Sequence, residues 1–478
     1  MNRSSLIITM LVVSLAAALH GTAQTVIFDT DVPAKHYYRI PAVVQLLDGR
    51  LLAIADDRHG SDSDIGGNWG IDIVGKVSND GGKTWGSTIM IADGDGYREG
   101  FHDSHGDAAA VVNRETGRLL VMCASGTVGF LQSTLDNPLR IGRYTSDDNG
   151  LTWQESEVTN DIYGIFSDYT EVNALFFSSG RICQSSRIKQ GDYYRIYAAV
   201  CGPTGVGCLV LYSDDFGQTW QALGGPGARP TSSPWGDEAK VEELPDGNVL
   251  LSCRSKQTST SGRLFNIYDY ATGTWGRMAV SNNSWSGTYS QDCSCNGEVL
   301  IVPVQRTSDG EPMHLVLQSV PRGKGRQHVT IYYKPLTGQA DYDKPTDFSR
   351  GWEHYQVTGN YSAYSTMISL QDGNIAFYHE DCNDNPGTSA YDLLFQVLSI
   401  ETITGGKYVS AVPLPPPEPG DVDNDGIVGV ADLVFLIDLI IDNCSVEDCV
   451  TADIDGDDMI SIADVVFLID ILIDNHFA

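Results

Sequence analysis

The sequence predicts a mainly β protein, a six-bladed β-propeller followed by a small α-helical calcium-binding domain. Three observations predict it. A phrase of the form S-x-D-x-G-x-T-W ends at Trp85, Trp153 and Trp220, at intervals of 68 and 67 residues, long enough for one four-stranded blade each. Upstream of residue 407, short apolar runs broken by turns such as Asp48-Gly49, Asp246-Gly247 and Asp372-Gly373 leave almost no helical periodicity. Near the C-terminus, an acidic loop running into an apolar segment occurs twice, 32 residues apart.

The first 23 residues carry Arg3, an apolar core from Leu6 to about Leu19 and the small-residue ending Gly21-Thr22-Ala23. That is the pattern of a signal peptide. The apolar run is too short for an anchor, and no later stretch reaches the roughly 18 apolar residues of a membrane span. A secreted, extracellular protein without a membrane span is therefore expected.

Residues 24–406 form the large domain. Arg39, in "YYRIPAVV", introduces an apolar run that reads as two half-buried strands joined at Asp48-Gly49. A guanidinium cannot shed its proton to escape burial, so Arg39 requires an anion, either a side chain or a ligand. The repeated phrase reads as a turn in which the Asp accepts backbone N–H groups, the Gly supplies positive φ and the Trp buries its indole. A degenerate copy, "YDYATGTW", ends at Trp275. At these intervals, residues 24–406 supply about six units.

Residues 407–419 hold five prolines between Pro413 and Pro419 and read as a semi-rigid spacer. Residues 420–478 follow as the small domain. In its first loop, Asp421, Asp423, Asp425 and Asp432, with the Ile427 carbonyl, stand at the spacing of an EF-hand-like calcium site. The second offers Asp453, Asp455, Asp457 and Asp464, with Asp458 where the turn favours Gly. Helices are expected over 433–441 and 465–473.

The formal charge of −32 excludes nucleic acid as a partner. Residues 421–478 hold 15 Asp and Glu and no Lys or Arg, which suits metal sites better than a uniformly acidic surface. Among ten cysteines, Cys201 with Cys208 and Cys444 with Cys449 are close enough to pair, but spacing does not fix connectivity. Cys293 and Cys295 form a C-x-C with no histidine pair and read as structural rather than zinc-binding.

Arg-Ile-Pro near the N-terminus, followed by repeated Asp boxes, resembles the exo-sialidases, six-bladed propeller glycosidases, over essentially all of residues 24–406. The resemblance implies a retaining hydrolase of terminal sialic acids needing no cofactor for catalysis. Three arginines would grip the sialic acid carboxylate: Arg39, Arg254 in "NVLLSCRS" and Arg326 in "GRQHVTIYY", with Arg322 as fallback. Several forked, charge-assisted bonds both neutralise and orient a carboxylate. Tyr364 in "SAYSTMISL" matches the family's nucleophile and Glu238 in "GDEAKVEEL" its base. A neutral phenol suits an anomeric carbon whose own carboxylate repels Asp or Glu. The loop "DDRHGSDSDIGG" offers the acid/base, Asp64, with Asp62 as alternative. Arg58 would lie near the substrate's C4 group, Asp107 would meet the N-acyl amide, and Glu380 would steady Arg39.

The duplicated acidic loop and helix resemble a dockerin, which binds a cohesin domain on a scaffold or another enzyme through calcium. Sialylated glycans and a cohesin are thus the expected partners. Sequence leaves open a trans-sialidase, a hydrolase of a related 2-keto sugar, and a non-catalytic sialoglycan-binding propeller.

Overall fold

In the computed structural model the described residues are 24–94, 103–227, 236–257, 260–291, 295–382, 390–412, 420, 422, 428–441, 450–455 and 459–477. The expected signal peptide lies outside them, as do most of the proline spacer, Asp421, Asp423, Asp425, Ile427, Asp457, Asp458, Cys293, Cys444 and Cys449.

Strand formation follows the punctuation of the sequence. The Asp-Gly turns sit where hairpins reverse, with Gly49 at φ +87°, Gly247 at +95° and Gly373 at +81°, a region glycine enters without steric cost. Four sheets result, each built on a four-stranded antiparallel meander in chain order, with short strands added at Gly180–Arg181 (parallel, on the second), Phe176–Phe177 (third) and Ala279–Ser281 (fourth). The first comprises His36–Gln45, Leu51–His59, Ile71–Ser78 and Ile89–Ala92. The second is built on Ser104–Val112, Leu119–Gly126, Arg140–Ser146 and Gln154–Glu157. The third holds Cys183–Gln190, Tyr193–Cys201, Cys208–Ser213 and Gln221–Ala222, and the fourth Gly236–Glu243, Val249–Ser255, Arg263–Asp269 and Thr274–Trp275.

A fifth, nine-stranded sheet takes the rest. Within it, Gln327–Leu336 meets Tyr361–Ser369 through the single pair Gln327 and Tyr361. Its strand Asp392–Leu398 pairs with the first strand of the chain, Thr25–Phe28. The fold is mainly β and propeller-like.

The core lies between successive sheets. Val44, Leu52 and Ile54 of the first pack on Ala108, Ala110 and Val121 of the second, and Ala53 and Val74 pack on Ala376, Tyr378 and Phe395 of the fifth. Both faces of the first sheet are therefore covered. Leu51–His59 is buried at every residue, where the sequence suggested half-buried strands. Each fully buried Val, Leu or Ile contributes about 1.5–3 kcal/mol.

The three Asp boxes, between the third and fourth strands of their sheets, share the same Asp and Ser bonds, while the indole N–H donates to the box glycine's carbonyl at Trp85 and Trp153 but finds no partner among the described residues at Trp220. In the second, Asp148 accepts from Thr152 N at 2.9 Å and Thr152 Oγ1 at 2.6 Å, while Ser146 Oγ accepts from Gly150 N at 2.9 Å. The first repeats this with Asp80, Thr84 and Gly82, and the third with Asp215, Thr219 and Gly217.

A division into two compact units falls between Ser410 and Ala411. Strand Tyr408–Ser410 pairs with Val299–Arg306, so the large unit continues past residue 406 and the spacer starts later than the proline pattern suggested. Tyr408 joins the core there, outweighing composition. In the second unit, helices Val430–Ile441 and Ile462–Phe477 bury Leu436 and Leu468 with Val422 and Ala452. Among the described residues no helix is long and apolar enough to cross a membrane.

Candidate functional site

Four local irregularities assemble the site. A strand register shift falls between Arg39 and Ala42, with Ile40 at φ +59°, and another between Gly106 and Ala109, with Asp107 at φ +58°. Two more fall between Asp237 and Ala239 and between Ser362 and Ser365. A bulge re-aims a side chain that regular pleating would bury between sheets. A β-branched residue such as Ile40 at positive φ is a strained outlier that only its surroundings maintain.

These bulges and neighbouring loops bring Arg39, Asp62, Asp64, Asp107, Glu238, Arg254, Arg326 and Tyr364 to one cleft of about 570 Å³. Arg322 is not among its lining residues; its carbonyl accepts Gln291 N at 3.1 Å. At the centre, Tyr364 Oη donates to Glu238 Oε1 at 2.5 Å. Arg254 Nη1 donates to Glu238 Oε2 at 2.7 Å and to Tyr364 Oη at 3.1 Å. The Arg326 guanidinium lies 5.4 Å from the Tyr364 ring centroid.

Burial pushes the Tyr364 phenol well up, and the Glu238 carboxylate pushes it further. Burial would also raise Glu238, but Arg254 and the phenol's hydrogen bond hold it below the usual carboxylate range. An ionised carboxylate beside a protonated phenol, with a guanidinium on both, is the arrangement of a base and the nucleophile it activates.

Glu380, fully buried, answers the question Arg39 poses. Its Oε1 accepts from Arg39 Nε at 2.7 Å and from Ile40 N at 3.0 Å, and its Oε2 accepts from Tyr364 N at 3.0 Å. Burial works against the charge on Arg39, and the Glu380 carboxylate more than restores it. One carboxylate thus ties the guanidinium, the strained Ile40 and the phenol-bearing backbone together.

Arg58 is also buried. It donates to Asp56 Oδ2 at 2.9 Å, to Asp64 Oδ1 at 2.7 Å and to the Asp62 carbonyl at 2.8 Å. The Asp64 side chain is 85% exposed at the rim. Desolvation would raise its pKa, but the guanidinium of Arg58, helped by Arg39 and Arg326, lowers it. Asp107 is raised well above the usual range by burial and by Asp56 and Asp64 nearby.

Sequence reasoning missed several groups. Asp56, raised to about 6 by burial against the pull of Arg58, holds Arg58 and accepts Asp107 N at 3.0 Å. The only hint was its place two residues before Arg58. Asp237 and Lys256 line the cleft within 3.8 Å of each other. Ile65, Phe130, Leu139 and Phe176 form an apolar wall that carries no motif, with Leu131 beside it 88% exposed.

In the second unit, Asp453, Asp455 and Asp464 place donor oxygens within 4.8 Å of one another. Asp464 also accepts from Ile454 N at 2.6 Å and Ser461 N at 2.8 Å. Asp432 matches it in the first copy, accepting from Val422 N and Gly429 N at 2.7 Å.

Comparison with known proteins adds findings of three kinds, from a family model, from curated relatives and from solved structures. The family model for the BNR repeat-like domain matches residues 49–377, more than half of the chain. A sialidase of Micromonospora viridifaciens is 28% identical over 370 residues, 73% of this chain and 50% of that protein. The chain thus spans about half the length of that relative. A sialidase of Paraclostridium sordellii is 26% identical over 391 residues, 76% of this chain and 86% of the relative. Among solved structures, Hadza microbial sialidase Hz136 superposes with a TM-score of 0.60 at 22% identity, covering 80% of this chain and 69% of that one. An intramolecular trans-sialidase from Ruminococcus gnavus gives 0.60 at 16% identity, covering 82% and 99%. At such identities the structural likeness speaks for the fold.

Proposed function

The chain belongs to the BNR repeat-like domain family, and from that premise we propose that it is a secreted, retaining exo-α-sialidase, attached to a cohesin-bearing partner by a dockerin. The observation that carries this reading is the contact of Tyr364 Oη with Glu238 at 2.5 Å, beneath Arg254, in a cleft shared with Arg39 and Arg326. Three guanidinium groups converging in a protein of net charge −32 suit one small anion, and the curated relatives are sialidases. Reading the nine-stranded sheet as two blades joined at Gln327 and Tyr361 gives a six-bladed ring.

In this mechanism the sialic acid carboxylate bridges Arg39, Arg254 and Arg326. Tyr364 Oη attacks the anomeric carbon as Glu238 takes its proton, and the bond to the leaving sugar breaks as Asp64 protonates that oxygen. Water then attacks the sialyl-tyrosine, Asp64 takes the water's proton, and the phenolate recovers its proton from Glu238. Asp64 is held ionised by Arg58 in the free enzyme, so substrate entry must separate the pair and let Asp64 take a proton from solvent before it protonates the leaving oxygen. The separation frees Arg58 for the C4 substituent, while Asp107 meets the N-acyl amide. The raised pKa of Asp107 suits a carboxyl close to Asp56 and Asp64.

Calcium fits the small domain. Its described donors, Asp432, Asp453, Asp455 and Asp464, are all carboxylates, as a hard cation prefers, with Asp421, Asp423, Asp425, Ile427 and Asp457 completing the two loops. Val434 and Phe435 on one helix, and Val466 and Phe467 on the other, are 46–58% exposed at matching positions, which suits a face made for a cohesin.

The test is hydrolysis of a fluorogenic sialoside by the full chain and by Tyr364→Phe. The wild type should release free sialic acid, first as the α-anomer by NMR. The variant should lose more than about 10²-fold in kcat with unchanged circular dichroism. Binding without turnover by the wild type would leave the lectin reading, and a sialylated acceptor as main product would leave transfer.

A further inference from the structure

The sheet that carries Arg39, which lines the cleft, and the buried Arg58 carries a second cluster on its other face. His36 stands opposite His59, and Asp57 opposite Asp72, on three adjacent strands. Directly paired residues, and residues two apart, share one face of a sheet, whereas Arg39, Asp56 and Arg58 occupy the alternate positions. The His36 and His59 rings stack at 5.4 Å, 24° apart. His36, Asp57 and His59 each offer a donor atom within 4.8 Å of the others. Asp72 adds a second carboxylate, bonded to His59 Nε2 at 2.8 Å. Asp57, His59 and Asp72 are buried, and His36 is half-buried at the rim. None of the four takes part in the mechanism above.

We propose that this cluster is a structural site for a first-row divalent transition metal, with zinc the best fit. Two imidazoles and one or two carboxylates form the mixed nitrogen and oxygen set that zinc accepts in tetrahedral geometry. Calcium and magnesium prefer oxygen alone, which separates this site from the loops of the small domain. Asp72 Oδ2 lies on His59 Nε2, the same nitrogen that stands 3.9 Å from Asp57 Oδ1, so Asp72 would enter as a fourth ligand beside it. Bound metal fastens His36 of one strand to Asp57 and His59 of the next. Those strands carry Arg39 and Arg58 on their opposite face, so the metal fixes the register on which both arginines depend.

The experiment uses the full chain in calcium-containing buffer, so that the acidic loops are satisfied, after removal of transition metals. Equilibrium dialysis against zinc should give one zinc per chain and a higher melting temperature, and cobalt in its place should give the visible ligand-field bands of nitrogen ligation. His36→Gln/His59→Gln should abolish both the stoichiometric metal and the melting shift. If that double variant fails to fold, His36→Gln alone, at the half-exposed rim, serves, and Asp72→Asn should weaken zinc affinity by about tenfold or more. Zinc well below one equivalent in the wild type, or uptake unchanged in the histidine variants, overturns the proposal.

Discussion

Glu380 shows how much one side chain can be asked to do. It is fully buried behind the residues that line the cleft and satisfies Arg39 and the backbone N–H groups of Ile40 and Tyr364. Glu380→Gln keeps the size and most of the acceptors but leaves the buried guanidinium without its counter-charge. Breaking a buried pair in this way costs about 3–5 kcal/mol, measurable by urea unfolding, and KM should rise more than kcat falls. A loss below about 1 kcal/mol would mean that Arg39 finds its anion elsewhere. The residues around this pair differ in how legible they are. Arg39, Arg254, Tyr364 and Glu238 stand in short local phrases, and those phrases sufficed to bring them to one cleft. Asp56 could not be found that way, because its importance comes from facing Arg39 across the strand pair, a long-range fact of register. The apolar wall of Phe130, Leu139 and Phe176 is assembled from separate segments and has no signature at all.

At the level of elements, the sequence announces turns far better than bulges. Each Asp box carries its whole bonding scheme within eight consecutive residues, so three copies sufficed to set the period. The four bulges that aim Arg39, Asp107, Glu238 and Tyr364 depend on the pairing of two strands, and single-strand patterns do not reveal them. The boxes also make a prediction about acid stability. Hydrogen bonds from Thr152 and Ser146 hold the Asp148 carboxyl down at about 2 from an ordinary 3.8. A depressed folded-state pKa gives stability that is fully present above the unfolded value and lost as pH falls through the folded one. The contribution of this group should therefore disappear between about pH 4 and pH 2. In Asp148→Asn, stability followed by urea titration should decline less steeply across that window, although the variant is less stable at neutral pH. An identical slope would show that the carboxylate is not what the turn uses.

The whole chain combines two kinds of stability that respond to different chemistry. The large unit is held by apolar layers between sheets and by the pairing of its first strand, Thr25–Phe28, with Asp392–Leu398 near its end. The small unit has far less to work with: among its described residues, four fully buried apolar side chains and two helices whose outward faces leave Val434, Phe435, Val466 and Phe467 exposed. Its acidic loops gather carboxylates that repel one another unless a cation lies among them, as at Asp453, Asp455 and Asp464. Binding free energy at such sites is folding free energy. A calcium-selective chelator should thus melt the small unit first, seen as a loss of helical circular dichroism with its own transition, and abolish capture by a cohesin. Sialoside hydrolysis should survive, because Tyr364, Glu238 and the three arginines are carried entirely by the large unit. Turnover lost in step with the helical signal, and restored by calcium, would mean that the large unit itself depends on the ion.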